Sequence, residues 1–311
     1  MKIAVVGAGA MGSVYAGLFA EAGHEVVAID TWLHHVTAIN TSGLHLSGAS
    51  GDRVITGIRA STDPSETAGA SLFILATKGG AVGEAARAIM PYVGPDALVI
   101  TIQNGLGAAE RIAAHMPTDR VLLGVADGFG ASMKGPGHAH HNLMKLIRLG
   151  EIEGGNSDRL EKLADLWRSV GFNAQAFPDI QQLIWEKFLC NVTTSAPCAV
   201  FGCTLGELMA NPDWWRIAIG CALEAYAAGN AEAVRFSFAD PIAYVTAFTA
   251  SMPAARPSLA IDHLAGRRCE IDAINGMVPV VAARHGLAAP YNDALATVIR
   301  ARESSFGKDR T

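Results

Sequence analysis

Ile3-Ala4-Val5-Val6-Gly7-Ala8-Gly9-Ala10-Met11-Gly12 is the stretch on which the fold turns. Lys2 to Val6 is a short apolar run of strand character, and Met11 to Glu21 continues as a small-residue helical pattern. The G-x-G-x-x-G between them has few meanings in that setting. It is the strand–turn–helix of a dinucleotide-binding βαβ unit. Gly7 permits the tight turn, Gly9 lets backbone approach a pyrophosphate, and Gly12 lets the helix pack close to the strand. Gly7, Ala8, Gly9, Ala10, Met11 and Gly12 are therefore the candidate phosphate loop, with the helix N-terminus facing the anion. Asp30, 18 residues after Gly12, closes the next apolar run. There its carboxylate would accept hydrogen bonds from an adenosine ribose and repel a 2′-phosphate, which favours NAD. The competing role for Asp30-Thr31 is to cap the following segment.

Working outward, the first half alternates apolar runs with helical patterns, as βαβ units of a parallel sheet do. Strands are expected at Lys2 to Val6, Glu25 to Asp30, Leu72 to Ala76, Ala97 to Ile102 and Val121 to Val125. Helices are expected at Met11 to Glu21, Ala81 to Met90 and Gly107 to Ala114. Ser132 to Gly150, rich in Gly and His, suits antiparallel edge strands. From Ile180 the pattern changes to long helical runs, so Phe177-Pro178-Asp179 marks a junction. Pro197, Pro212, Pro241, Pro253 and Pro257 are expected to break that half into several helices. The fold class is α/β: a Rossmann-type doubly wound parallel sheet over residues 1–178, with a second, all-helical domain over 179–311.

Composition narrows the function classes. Half of the 311 residues are hydrophobic and 17% are charged, which places the chain among compact globular proteins. A net charge of -5 with scattered basic residues offers no footprint for nucleic acid or anionic membrane. Cys190, Cys198, Cys203, Cys221 and Cys269 lack paired spacing and read as reduced thiols of a cytoplasmic protein. The apolar start imitates a secretory signal, but cleavage there would remove the glycine loop. No other stretch approaches the roughly 20 apolar residues of a membrane helix. His138, His140 and His141 cluster without an acid or cysteine at ligand spacing, so no metal site is assigned. Trp214-Trp215 reads as helix packing. The apolar helical half is compatible with a homodimer.

Further pieces complete a pattern: Lys78 after the third strand, Gln103-Asn104-Gly105 after the fourth, and Trp185-Glu186-Lys187 with Asn191 opening the second half. Ser258 is followed, after eleven intervening residues, by Glu270 within Cys269-Glu270-Ile271-Asp272-Ala273-Ile274-Asn275-Gly276. In order and spacing these pieces resemble the ketopantoate reductase family over nearly the whole chain. The resemblance implies reduction of a small-molecule 2-keto acid to a 2-hydroxy acid by a nicotinamide cofactor, usually NADPH, in a cleft between a Rossmann domain and a helical domain. It implies that Lys187 donates the proton and that Glu270 is the carboxylate beside the reacting centre and the cofactor. Lys78 and Asn104 match cofactor contacts, and Asn104, Asn191, Ser195 and Ser258 line the substrate's place.

The chemistry is coherent from below. Hydride addition to a ketone builds negative charge on its oxygen, which a positioned ammonium both stabilises and protonates. Lys187, Asn191 and Ser195 recur every four residues and share one helical face. Glu270 would hold the ammonium charged while burial opposes it. Bland roles compete: Lys187 as a surface lysine, Asn104-Gly105 as a turn, Glu270 as a helix surface acid, and Ser258 after Pro257 as a helix cap.

Three positions depart from the family's pattern. Ser195 and Leu205 stand where many members have asparagine, and Thr31 stands where NADPH-preferring members often have arginine. The cofactor is NADP(H) by resemblance, whereas Asp30 and Thr31 argue for NAD(H). Two alternatives follow: an NAD-dependent dehydrogenase of another 2-hydroxy acid, and a non-catalytic dinucleotide-binding redox sensor.

Overall fold

Residues 1–128 and 130–306 are described by a computed structural model of the chain. They form two compact units: Met1–Gln103 with Ala108–Ile180, and Asn104–Gly107 with the chain from Gln181 onward.

In the first unit the strands are β1 (Lys2–Val6), β2 (Glu25–Ile29), β3 (Leu44–Gly48), β4 (Arg53–Ile55), β5 (Arg59–Ser61), β6 (Leu72–Leu75), β7 (Leu98–Thr101), β8 (Val121–Asp127), β9 (Gly130–Gly135), β10 (His138–Leu143), β11 (Leu146–Glu151) and β12 (Ala174–Ala176). Its helices are α1 (Ala10–Glu21), α2 (Leu33–Ser42), α3 (Val82–Ile89), α4 (Ala108–Ala113) and α5 (Asp158–Ser169). An eight-stranded sheet has the order β12-β11-β8-β7-β6-β1-β2-β5. From β8 to β5 every pairing is parallel, and β11 then joins β8 antiparallel. The six parallel strands, in the order third-second-first-fourth-fifth-sixth, make the doubly wound arrangement expected of the glycine loop. Their apolar runs are continuous because both faces are covered. One face packs into a core with Tyr15, Phe19 and Trp167 of α1 and α5, the other into a core with Val82, Ala86 and Ile112 of α3 and α4.

Ser132 to Gly150 does form antiparallel pairings: β11 joins β8 in the main sheet, and β9 lies at the edge of a separate four-stranded sheet of order β4-β3-β10-β9, antiparallel to β10. That sheet depends on a parallel pairing of β3 with β10 across more than ninety residues. No local pattern reports such a pairing.

The helical unit comprises α6 (Ile180–Phe201), α7 (Leu205–Ala210), α8 (Pro212–Ala231), α9 (Pro241–Ala250), α10 (Ser258–Leu264), α11 (Met277–Arg284) and α12 (Pro290–Glu303). Here one expectation needs correction: Pro197 lies inside α6 rather than breaking it. Its ring costs one i→i−4 hydrogen bond, and burial of Phe188, Leu189, Val192, Ala196 and Ala199 outweighs that loss. Pro212 and Pro241 do start helices, each at the first helical position where a missing N–H costs nothing. Helix α8 packs against α7, α9, α11 and α12, its inner face built from Ala218, Cys221, Ala222, Ala225 and Ala228. None of the five cysteines is in a disulfide. Trp214 stacks on Phe201 with ring centroids 4.9 Å apart, a packing role as expected. Among the described residues no helix is long and apolar enough to cross a membrane.

Candidate active site

The glycine loop has the geometry its sequence calls for. Gly7 has φ +92°, and a Cβ there would lie 2.6 Å from the Thr77 backbone nitrogen. A Cβ on Gly12 would lie 1.9 Å from the Gly7 carbonyl oxygen, so only glycine lets α1 sit this close to the turn. Gly9 differs: nothing lies within 4 Å of where its Cβ would be. The chain itself therefore does not require glycine at position 9, whereas a phosphate lying against the backbone there would. Gly9 is the N-cap of α1 and no side chain caps it. The first-turn N–H groups, from Ala10, Met11 and Gly12, are thus left for an anion.

Asp30 follows β2 at the same edge of the sheet. Its Oδ1 accepts the Trp32 backbone N–H at 2.9 Å, so the capping role is partly realised. The second oxygen has no protein partner among the described residues and suits a ribose hydroxyl. Lys78 follows β6, exposed, at the head of a single 3-10 turn spanning Gly79–Ala81. Gln103 follows β7 and donates from Nε2 to the carbonyls of Leu75 and Thr77, tying the ends of β7 and β6 together.

Sequence reasoning missed His35, which braces the phosphate loop from beneath. Its ring is fully buried, Nε2 lies 2.8 Å from the Ala8 carbonyl, and Nδ1 accepts the Gly137 N–H at 2.8 Å. An accepting Nδ1 leaves the proton on Nε2, so the imidazole is neutral. Burial pushes its pKa below the usual histidine value, against the Ala8 hydrogen bond and the Asp30 charge.

In the helical unit, a cavity of about 180 Å³ is lined by Asn104, Asn191, Thr194, Ser195, Leu205, Phe248, Met252, Ala255, Arg256, Pro257, Ser258 and Ile274. All four residues proposed from the sequence as substrate contacts, Asn104, Asn191, Ser195 and Ser258, meet there. Asn191, Thr194 and Ser195 come from one face of α6, and Lys187, half-buried, continues that face one turn toward the N-terminus. Ser258 is the first residue of α10 and makes no capping bond, so the cap role does not apply to it. Asn104 arrives through a glycine turn in which Gly105 has φ +85°. A Cβ on Gly105 would lie 2.0 Å from the Ala273 carbonyl oxygen, and that same oxygen accepts the Leu106 N–H at 2.9 Å. The Asn-Gly turn and the cavity role are therefore one feature. Glu270, half-buried, heads the short turn Ile271–Ala273 on which the Asn104 loop rests.

Several lining residues carried no signal. Arg256 is exposed at the cavity and donates one N–H to the Gly202 carbonyl at 2.8 Å. Phe248, Met252 and Ile274 join Leu205 as an apolar wall. Behind the wall, fully buried Asn275 donates to the Val192 carbonyl at 2.8 Å and to Asn292 Oδ1 at 2.9 Å, pinning α6 beside Asn191. The histidine cluster lies elsewhere, on β10: Ser47 Oγ lies 2.9 Å from His138 Nε2 and 3.0 Å from His140 Nδ1.

An open glycine loop at the carboxyl edge of a parallel sheet, with a second unit holding a small cavity of mixed polar and apolar lining, defines a two-unit dinucleotide-binding α/β protein. The family model "Ketopantoate reductase PanE/ApbA" matches residues 3–154, and "Ketopantoate reductase PanE/ApbA C terminal" matches residues 179–303. The 2-dehydropantoate 2-reductase of Halobacterium salinarum is 30% identical over 302 residues, covering 96% of this chain and 98% of its own. That of Streptococcus pyogenes is 28% identical over 305 residues, covering 98% of each. The solved ketopantoate reductase of Ralstonia eutropha superposes with a TM-score of 0.89 at 29% identity, over 98% of this chain and 99% of that one. D-mandelate dehydrogenase, solved with NADH and anilino(oxo)acetate, gives 0.88 at 27% identity over the same shares. The chain belongs to the ketopantoate reductase family, and is a nicotinamide-dependent oxidoreductase of that type.

Proposed function

We propose that the protein reduces a 2-keto acid to the 2-hydroxy acid, ketopantoate to pantoate, with Lys187 as general acid. The observation that carries this reading is the convergence of Asn104, Asn191, Ser195 and Ser258 on one cavity, one helical turn from Lys187. The nicotinamide, when bound, supplies the hydride. The chain's own residues do the rest. Lys187 donates a hydrogen bond to the keto oxygen as its charge grows, then passes the proton to it. Glu270 keeps that ammonium charged and oriented. Asn191, Ser195 and Ser258 orient the substrate, and the remaining guanidinium N–H groups of Arg256 meet its carboxylate. Lys78 and Asn104 would each contact the cofactor, and the loop from Gly7 to Gly12 would hold its pyrophosphate.

A second reading, an NAD-dependent dehydrogenase of another 2-hydroxy acid, is favoured by the apolar wall of Leu205, Phe248, Met252 and Ile274. A hydroxylated substrate end facing that wall forfeits about 1–3 kcal/mol per unsatisfied group. The open oxygen of Asp30 also favours NADH.

The test is kcat/KM for ketopantoate with NADPH and with NADH, in wild type and Lys187→Ala. We expect the substitution to lower kcat by about 10²–10⁴-fold while cofactor affinity stays put. Turnover confined to 2-keto acids with bulky apolar ends, and to NADH, moves the assignment to the second reading. A Lys187→Ala enzyme as fast as wild type removes the lysine from the chemistry. Cofactor binding with no turnover on any keto acid leaves the redox sensor.

A further inference from the structure

Away from the cavity, His263, Cys269 and Glu303 come together in the helical unit from α10, the segment after it, and the last turn of α12. One ligand-type atom from each lies within 4.8 Å of the others. His263 is 5% exposed and Glu303 9%. Glu303 Oε1 accepts the Cys269 backbone N–H at 2.8 Å, an ordinary structural role for a buried carboxylate. That role leaves His263 unexplained. Its Nδ1 is buried with no hydrogen-bond partner, and it points at the same Glu303 oxygen from 3.6 Å, beyond hydrogen-bond reach. A buried polar nitrogen in that condition has lost its water and gained no partner in return, and an ion is one of the few things that remove the cost.

We propose that His263, Cys269 and Glu303 form a site for one divalent zinc-type cation. The donor set is one imidazole nitrogen, one thiolate sulfur and one carboxylate oxygen, each a usual zinc ligand. Nitrogen and oxygen ligands held about 2.0–2.1 Å from a tetrahedral zinc stand roughly 3.4 Å apart, close to the separation found here. Charge balances as well: thiolate, carboxylate and a dication sum to zero around a neutral imidazole, which a buried site requires. Loading exchanges the Cys269 S–H bond for a metal–sulfur bond and releases that proton to solvent. The fourth position is left for water or the second Glu303 oxygen. The site's role is positional. Cys269 directly precedes Glu270, and His263 lies on the helix that Ser258 opens, so a bound ion would clamp the two segments that carry these residues.

The experiment titrates the metal-free full-length protein with zinc chloride by calorimetry and repeats it with Cys269→Ser, Glu303→Gln and, as a control on the other histidine cluster, His138→Ala. Cobalt(II) binding is followed by absorption spectroscopy in wild type. We expect one saturable site per chain, a thiolate-to-cobalt charge-transfer band, and affinity lowered at least about tenfold in the first two variants but not in His138→Ala. Binding unchanged in Cys269→Ser, no saturable binding in wild type, or a cobalt complex without the thiolate band would overturn the proposal. The cobalt spectrum needs no variant to fold, so an unstable substitution does not shield the inference.

Discussion

Among single residues, the three loop glycines are not equivalent, and their differences are testable. A methyl group on Gly12 collides with the Gly7 carbonyl, whereas one on Gly9 meets only open space. Gly12→Ala should therefore destabilise the fold by about 1–3 kcal/mol through overpacking and weaken cofactor binding. Gly9→Ala should leave thermal unfolding near wild type and weaken only cofactor binding, since on the proposed reading its methyl would intrude where a pyrophosphate would lie. Parallel unfolding curves and fluorescence titrations with NADH and NADPH separate the two; equal effects on stability would contradict the assignment. His35 sets a pH dependence. Its folded pKa lies below the ordinary 6.5, so between those two values the unfolded chain binds more protons than the folded one. Stability is then full above 6.5 and falls as pH drops through that window, with a slope of at most about 1.4 kcal/mol per pH unit. Protonated Nδ1 can no longer accept the Gly137 N–H, so cofactor affinity should hold through that window and weaken only at lower pH, as the folded His35 itself becomes protonated. Depressed His24, His138 and His141 add to the total, and the difference between wild type and His35→Asn isolates His35. Denaturant unfolding at a series of pH values should show a shallower slope in the variant.

Elements bring the separate residues to bear on one another. Helix α6 carries Lys187, Asn191 and Ser195 at four-residue spacing, and that spacing alone places them on a common face. The rotation and depth of that face depend on what α6 packs against. Asn275 fixes part of it by bonding both the Val192 carbonyl and Asn292, which in turn donates to the Cys221 carbonyl at 3.0 Å and to Glu224 at 2.8 Å. Three helices are joined through one buried polar network. Asn275→Ala strands buried partners and should cost about 1–3 kcal/mol, seen as a lower denaturation midpoint. Because the network positions α6, KM for the keto acid should rise as well; a stability loss with unchanged KM would mean that the network supports the fold without aligning the cavity. The small β4-β3-β10-β9 sheet acts in the same indirect way, since the Gly137 turn between β9 and β10 reaches the Ala8 carbonyl through His35.

Across the whole molecule, what was legible in the chain was what depends on near neighbours. The strand–glycine turn–helix at the start, the acid ending the second strand, the alternation of apolar runs with helical patterns, and the four-residue spacing along α6 all follow from steric and hydrogen-bonding rules acting within a few residues. They determined the parallel sheet, the dinucleotide loop, the change to helices near residue 180 and, with the resemblance they support, the family. What only the tertiary structure decided lies in pairings between distant segments. The second sheet rests on β3 meeting β10. The passage of α6 through Pro197 rests on burial that outweighs one lost hydrogen bond. Arg256, Phe248, Met252 and Asn275 reach the cavity or its backing from segments with no motif of their own, and His263, Cys269 and Glu303 adjoin only because α10 and α12 pack as they do. The physical reason is common to all of these. Local conformation is set by bonded neighbours, whereas burial and side-chain meetings at long range are properties of the packed core as a whole.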